Sequence, residues 1–262
     1  MIFNQRQEEI VALLTRRKSA TVVELSEAFE VSPVTIRTDL TLLAEAGRVA
    51  RTHGGARLAN ERTRQEVTFA ARRQLHAGAK QQIGRLAATL IQPVDIILLD
   101  SSTTVVAVGQ ALKQIEILHD ITAVTTGIWT ALELLGSSHI QVVLAGGYVR
   151  NTTGSITGSI TNKVLNDFSF QKVFMGAWGV DPSGGLTDIH LAEVELKRAM
   201  IQRANEVIIV ADGSKFGRVG LASFARMNQI TTLITDESAP QEILTTFSGQ
   251  GVQVLVAPSV DE

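Results

Sequence analysis

From Leu75 onward the chain repeats one pattern: a short continuous apolar run, a polar or glycine-rich break, then a stretch with helical spacing. The runs fall at 96–99, 122–124, 141–145, 172–175, 207–211, 232–235 and 252–256, and the amphipathic segment 80–91 leads into the first. A strand that is apolar at every position must be covered on both faces, and helices between successive strands force those strands parallel. The pattern therefore predicts a doubly wound α/β domain with a largely parallel sheet.

Ligands of such sheets collect beyond the carboxyl ends of the strands, so the breaks are the candidate binding segments. Asp100-Ser101-Ser102-Thr103-Thr104 leads from a strand into a helix and offers hydroxyls and amides at a helix N-terminus, which suits an anion or serves as ordinary capping. Further breaks are Thr125-Thr126-Gly127, Gly146-Gly147-Tyr148-Val149-Arg150 and Gly176-Ala177-Trp178-Gly179. Their glycines either allow close approach to a ligand or simply make turns, Arg150 can clamp a phosphate, and Trp178 is read as pocket wall or as packed core. Gly184-Gly185-Leu186-Thr187-Asp188 precedes a helix carrying Glu193, Glu195, Lys197 and Arg198, charges that fit a wet face with spaced ion pairs. Asp212-Gly213-Ser214-Lys215 sets an acid and a base beside a glycine.

The first sixty residues have a different grammar. Ile10, Leu13 and Leu14 mark one helix; Thr21 with Glu24 forms a capping box for a second, striped by Val22, Leu25, Ala28 and Phe29. Ser32 is an N-cap with Pro33 at the first helical position of a third helix, whose Ile36, Leu40 and Leu43 share a face and which should stop at Gly47. Three short helices with tight turns are the helix-turn-helix arrangement. The third helix then presents Ser32, Val34, Thr35, Arg37, Thr38 and Thr41 to the major groove. Arg37 is read as a phosphate or guanine contact, or as an ion-pair partner of Asp39. The alternating residues 48–57, with Gly54-Gly55 as a turn, predict a hairpin wing carrying Arg51, His53 and Arg57 for phosphate or minor-groove contact.

Charge separates the same two parts. The net charge is −2 overall, yet residues 1–73 hold twelve Lys and Arg against nine Asp and Glu, and the remainder twelve against seventeen. A basic head on an acidic body suits a DNA-binding module joined to a sensor. The chain has no cysteine, which excludes disulfides and thiolate chemistry and fits a cytoplasmic location. Its five histidines are scattered, so neither a metal nor a cofactor is expected. Without an apolar leader or an eighteen-residue apolar run, membrane association is not expected.

The N-terminal residues Arg6, Ile10, Leu14, Ser32-Pro33-Val34-Thr35-Ile36-Arg37-Thr38-Asp39-Leu40, Gly47 and His53-Gly54-Gly55-Ala56 resemble the DNA-binding signature of the DeoR regulators. Thr38 stands where those proteins commonly carry a second basic residue. The resemblance continues through Asp100 to Thr104, Gly146-Gly147, Gly176 to Glu193 and Lys197, and Asp212 to Phe216. Ser102 replaces a usual glycine, and Thr126-Gly127 a common Asn-containing pair. It implies a winged helix-turn-helix at 1–57, a linker at 58–73, and at 74–262 an effector-sensing and oligomerisation domain resembling ribose-5-phosphate isomerase. It further implies binding of double-stranded operator DNA by a homodimer or homotetramer, and a phosphorylated sugar held by Asp100 to Thr104, Thr126, Gly127, Gly146, Gly147, Arg150, Gly176, Trp178, Thr187, Glu193, Lys197, Asp212 and Lys215. The function expected is repression of a carbohydrate catabolic operon. The alternative is an isomerase-like enzyme with a DNA-binding head, using Glu193 as base and Lys197 or Lys215 as electrostatic helper.

Overall fold

A computed structural model describes residues 5–45, 48–52, 54–58 and 69–258. The chain divides into two units, Met1–Leu75 and His76–Glu262. Gly47, His53 and most of the expected linker, 59–68, lie outside the described residues.

The first unit contains α1 (Gln5–Arg17), β1 (Ser19–Thr21), α2 (Val22–Ala28), α3 (Pro33–Glu45), β2 (Val49–Thr52), β3 (Gly55–Leu58) and α4 (Phe69–Gln74). Both expected helix starts form. The Glu24 amide donates to Thr21 Oγ1 (3.2 Å) while the Thr21 amide donates to Glu24 Oε2 (2.6 Å), and the Thr35 amide donates to Ser32 Oγ (3.2 Å). Ile10, Leu14, Leu25, Ile36, Leu40, Leu43, Val49 and Ala56 fill one core, whereas Ala28, expected on the apolar stripe of α2, is exposed. The wing is a three-stranded antiparallel sheet, order β1-β3-β2, rather than the bare hairpin expected. β1 is short and mostly polar, so periodicity did not mark it; at Gly55 it passes so close that a Cβ would lie 2.3 Å from the Ala20 carbonyl oxygen.

In the second unit each of the seven apolar runs is a strand of one parallel sheet: β4 (Ile96–Leu99), β5 (Ile121–Thr125), β6 (Ile140–Leu144), β9 (Phe170–Met175), β12 (Ala204–Val210), β14 (Thr232–Asp236) and β15 (Gln253–Ala257), in the order β15-β14-β12-β9-β4-β5-β6. Alternate side chains feed opposite faces. Ile97 and Leu99 join one core with α5 (Ala77–Ala88), α6 (Thr103–Lys113) and Leu134 of α7 (Ile128–Leu134); Leu98 joins the other with Leu165 of α8 (Ser159–Asn166), α9 (Leu191–Ile201) and α10 (Gln241–Gly249). Helices on both faces are what the doubly apolar strands require. The chain order reverses between β4 and β9, making that boundary the topological switch point where ligands are received.

The sequence pattern missed the small antiparallel pieces on this scaffold. They are the hairpin of β7 (Tyr148–Arg150) and β8 (Ser155–Thr157), and a three-stranded sheet of β10 (Gly179–Asp181), β11 (Gly185–Asp188) and β13 (Ala222–Ala225). No helix of the described residues is long and apolar enough to cross a membrane.

Candidate functional site

The helical face read as DNA-facing is solvent-exposed at Val34, Arg37, Thr38 and Thr41, and Thr35 is half-buried. Asp39 is buried and accepts from Arg6 Nε (2.7 Å) and Gln7 Nε2 (2.8 Å), clamping α1 to α3. The ion pair between Arg37 and Asp39 is therefore not formed, and the Arg37 side chain stays on the exposed face. Thr38 and Thr41 donate to the carbonyls of Val34 (3.1 Å) and Arg37 (2.8 Å) one turn back. Arg51 of β2 donates to Thr41 Oγ1 (3.0 Å) and to the Arg37 carbonyl (3.2 Å). Thr41 is thus a joint between wing and helix as much as a reading residue. Arg57 is exposed on β3, and His53 lies outside the described residues.

At the switch point of the second unit, Asp100 leaves β4 fully inside the protein. Its Oδ1 accepts from the Ser102 amide (2.7 Å) and its Oδ2 from the Gly176 amide at the end of β9 (2.8 Å), so one carboxylate ties both loops that diverge there. Ser102 caps α6 by accepting from the Val105 amide (3.2 Å). The Thr103 and Thr104 amides lie at the helix start, where no intrahelical acceptor exists. A Cβ on Gly176 would meet Ser102 Cβ and Oγ at 2.6 Å, and one on Gly127 would meet Ser101 Cα at 2.8 Å. Glycine at these two positions lets the neighbouring loops close on the helix start. Thr126 Oγ1 is buried there without a hydrogen-bond partner.

Beside this cradle lies a buried charge cluster. Lys197 Nζ donates to Asp188 Oδ2 (2.8 Å) and to the Gly176 carbonyl (2.8 Å), and sits 3.7 Å from Asp100 Oδ2. Burial of Lys197 disfavours its charge, but Asp188, Asp100 and Glu193 outweigh that and raise its pKa. Burial likewise opposes ionisation of Asp188, yet the charge and hydrogen bond of Lys197 hold it below the usual carboxylate range. At Asp100 and Glu193 burial dominates and both are pushed up, with Lys197 only partly compensating. The cluster thus combines an assured cation, an assured anion and two reluctant acids.

Glu193 and Lys197 are therefore not on a wet helix face as their spacing suggested; only Glu195 and Arg198 are. Asp188, absent from the expected site residues, is central. Its only signal in the sequence was an acid just ahead of a helix carrying a lysine on its inner face. Arg150 donates to His190 Nε2 (2.5 Å), and His190 lies two residues after Asp188, which puts Arg150 at the margin of this cluster. Thr187 is buried and donates to the Gly179 carbonyl (3.2 Å) while accepting from the Gly220 amide (2.8 Å), a strut between loops. Trp178 is half-buried. Gly146 accepts through its carbonyl from Thr161 (2.9 Å), and Gly147 adopts a positive φ of 150° against that threonine. Asp212 and Lys215 belong to a second charge group. Asp212 is lowered because Lys215, Ser214, Lys80 and His76 overcome its burial, and none of these is among the charges acting on Lys197.

Residues 6–62 match the model of the DeoR-like helix-turn-helix domain, and residues 75–237 that of the DeoR C terminal sensor domain. Among curated proteins, the chain is 33% identical to the HTH-type transcriptional regulator GolR of Listeria innocua, covering 97% of this chain and 98% of that one. It is 30% identical to the glycerol-3-phosphate regulon repressor of Escherichia coli (95% and 97%). It is 33% identical to the HTH-type transcriptional repressor GlcR of Bacillus subtilis (96% of each). Among solved structures, a D-ribose-5-phosphate isomerase in complex with phospho-erythronic acid superposes with a TM-score of 0.40 at 18% identity over 52% of each chain.

Proposed function

The chain belongs to the DeoR family of transcriptional regulators, and from that premise we propose that it represses a carbohydrate catabolic operon under the control of a phosphorylated sugar or related metabolite. DNA binding is assigned to 1–57, the linker to 58–73, and effector sensing with oligomerisation to 74–262. On operator DNA, Val34, Thr35, Arg37 and Thr38 face base edges and nearby phosphates, while Arg51, His53 and Arg57 follow the backbone from the wing. A homodimer or homotetramer presents two such heads to repeated half-sites.

The observation that carries the effector reading is the double tie of Asp100 to Ser102 and Gly176, which holds a helix start against two glycines at the switch point. The phosphate occupies the Ser101-to-Thr104 loop, where backbone amides and the helix dipole favour an anion. The sugar hydroxyls meet Thr126, Glu193 and Lys197, with Arg150 at the rim. An effector shifts DNA affinity only if it binds the DNA-competent and DNA-incompetent arrangements unequally, and a cluster bridging β4, β9, β11 and α9 supplies contacts that can differ between them. The relatives that are repressors favour regulation over catalysis, with Glu193 and Lys197 retained as binding groups.

The test is a thermal-shift screen of phosphorylated sugars and polyols, followed by operator gel shifts with any hit. A compound at a hundredfold its Kd raises stability by about 2.7 kcal/mol. That gain should vanish in Thr103→Ala or Arg150→Ala, and the same compound should change operator affinity. A screen without hits, or a hit indifferent to both variants, rejects the assigned site.

A further inference from the structure

On the outer side of α9, away from its buried Glu193 and Lys197, a cavity of about 320 Å³ opens between that helix, the β10–β11 turn and β13. Its polar lining includes Arg198, Gln202, Ser223, Arg226 and Gln229, and among the described residues no carboxylate lines it. Arg198 donates to the Ser223 carbonyl, which fixes its guanidinium at the wall and leaves its remaining N–H groups to point elsewhere. The Arg226 amide donates to Gln229 Oε1 (2.9 Å), which consumes that acceptor and leaves the Gln229 NH₂ as a donor. The nearest acid along the chain, Asp181, does not line the cavity, and its Oδ1 accepts from the Ser183 amide (2.9 Å), the Ser183 hydroxyl (2.6 Å) and the Gly184 amide (2.8 Å) to build the turn.

We propose that this cavity is a second anion site, separate from the effector cradle, which takes a small dianion of the phosphate-monoester class. Two guanidiniums and the Gln229 amide line the cavity with no carboxylate among its described lining residues, while the Ser223 hydroxyl donates to the Ala225 carbonyl (3.0 Å); this donor-rich set matches tetrahedral oxyanions. The volume is at the lower end of small-molecule pockets, which excludes large ligands. The site is also wired to the cluster behind it. Arg198 follows Lys197 in α9, and Phe224 both lines the cavity and carries the Lys197 ammonium 4.9 Å from its ring centroid. An anion that draws Arg198 and Arg226 together therefore acts on the helix and strand that hold Lys197, Asp188 and Glu193, and the two sites regulate one another reciprocally.

The experiment titrates the full chain with inorganic phosphate at constant ionic strength, with chloride as control, and follows the arginine Nε resonances and the melting temperature. The Arg226 and Arg198 Nε signals should move along a saturable curve with phosphate and not with chloride. Arg226→Gln, which keeps a polar side chain but removes the charge, should weaken that event at least tenfold. Ser102→Ala, in the effector cradle, should leave it intact, so failure of one site is read separately from failure of the other. Non-saturating shifts, equal shifts with chloride, an Arg226→Gln curve superimposable on the parent, or complete loss in Ser102→Ala would each overturn the proposal. So would a response that disappears as protein concentration rises, which would mean that a second copy fills the cavity.

Discussion

Lys197 is the residue on which the sensor unit turns. A lone ammonium at this depth would shed its proton; here three carboxylates keep it charged, and they in turn depend on it. The balance is uneven, because Glu193 is pushed above its ordinary range by burial while Asp188 is held below it. The folded pKa of Glu193 lies above its unfolded value of about 4.3. Its contribution to stability is therefore fully present below that pH and is lost as pH rises through the folded pKa. Glu193→Gln, which cannot ionise, should melt close to the parent at pH 4 and be more stable than it at pH 8. Paired denaturation curves at the two pH values decide it, and a variant equally or less stable at pH 8 contradicts the assignment. Asp188 has the opposite sign, its contribution being present at neutral pH and lost as pH falls through its lowered value.

At the level of elements, two joints link local structure to function. In the head, Arg51 fastens β2 to the exposed face of α3 through Thr41. Arg51→Ala removes exposed contacts only, so stability should change by less than about 0.5 kcal/mol. Operator affinity should fall, and the slope of log affinity against log salt should drop by about one if Arg51 also neutralises a phosphate. An unchanged affinity in a salt series would confine Arg51 to bracing. In the sensor, Gly176→Ala drives a methyl into Ser102, displacing the cap of α6. Melts with and without effector should show the response lost while the variant remains folded; a full response would mean that the cradle does not depend on this close approach. Much of this was legible in the sequence, because it rests on periodicity and caps: the seven sheet strands, the first three helices, Thr21 and Ser32. What was not legible depends on contacts across long sequence separations. Asp39 pairs with Arg6 rather than with its neighbour Arg37; Lys197 is buried against Asp188 of β11 and Glu193 against Ser155 of β8; β1 exists because β3 returns to meet it. A spacing rule sees the face of a helix but not the element that comes to lie on it.

For the whole molecule, the sheet has two open edges, β15 and β6. The β6 side carries exposed apolar residues, Leu144 on the strand, Leu132 and Leu135 at α7 and Tyr148 on β7. An unpaired edge flanked by such residues is a natural place for a second copy to join. On the proposed reading of a homo-oligomer, Leu144→Lys should shift sedimentation toward smaller species and weaken operator binding with it; an unchanged sedimentation profile would place the interface elsewhere. The reversal of chain order between β4 and β9 has a consequence in time. The ribosome releases the DNA-binding head first, and then β4, β5 and β6, which can pair with one another before β9 has been translated. Until then the Asp100 carboxylate lacks the Gly176 amide, and Asp188 and Lys197 do not yet exist. A growing polypeptide thus completes its DNA-binding head before the cluster of Asp100, Asp188 and Lys197 can form, and responsiveness arrives only with the second half of the sheet.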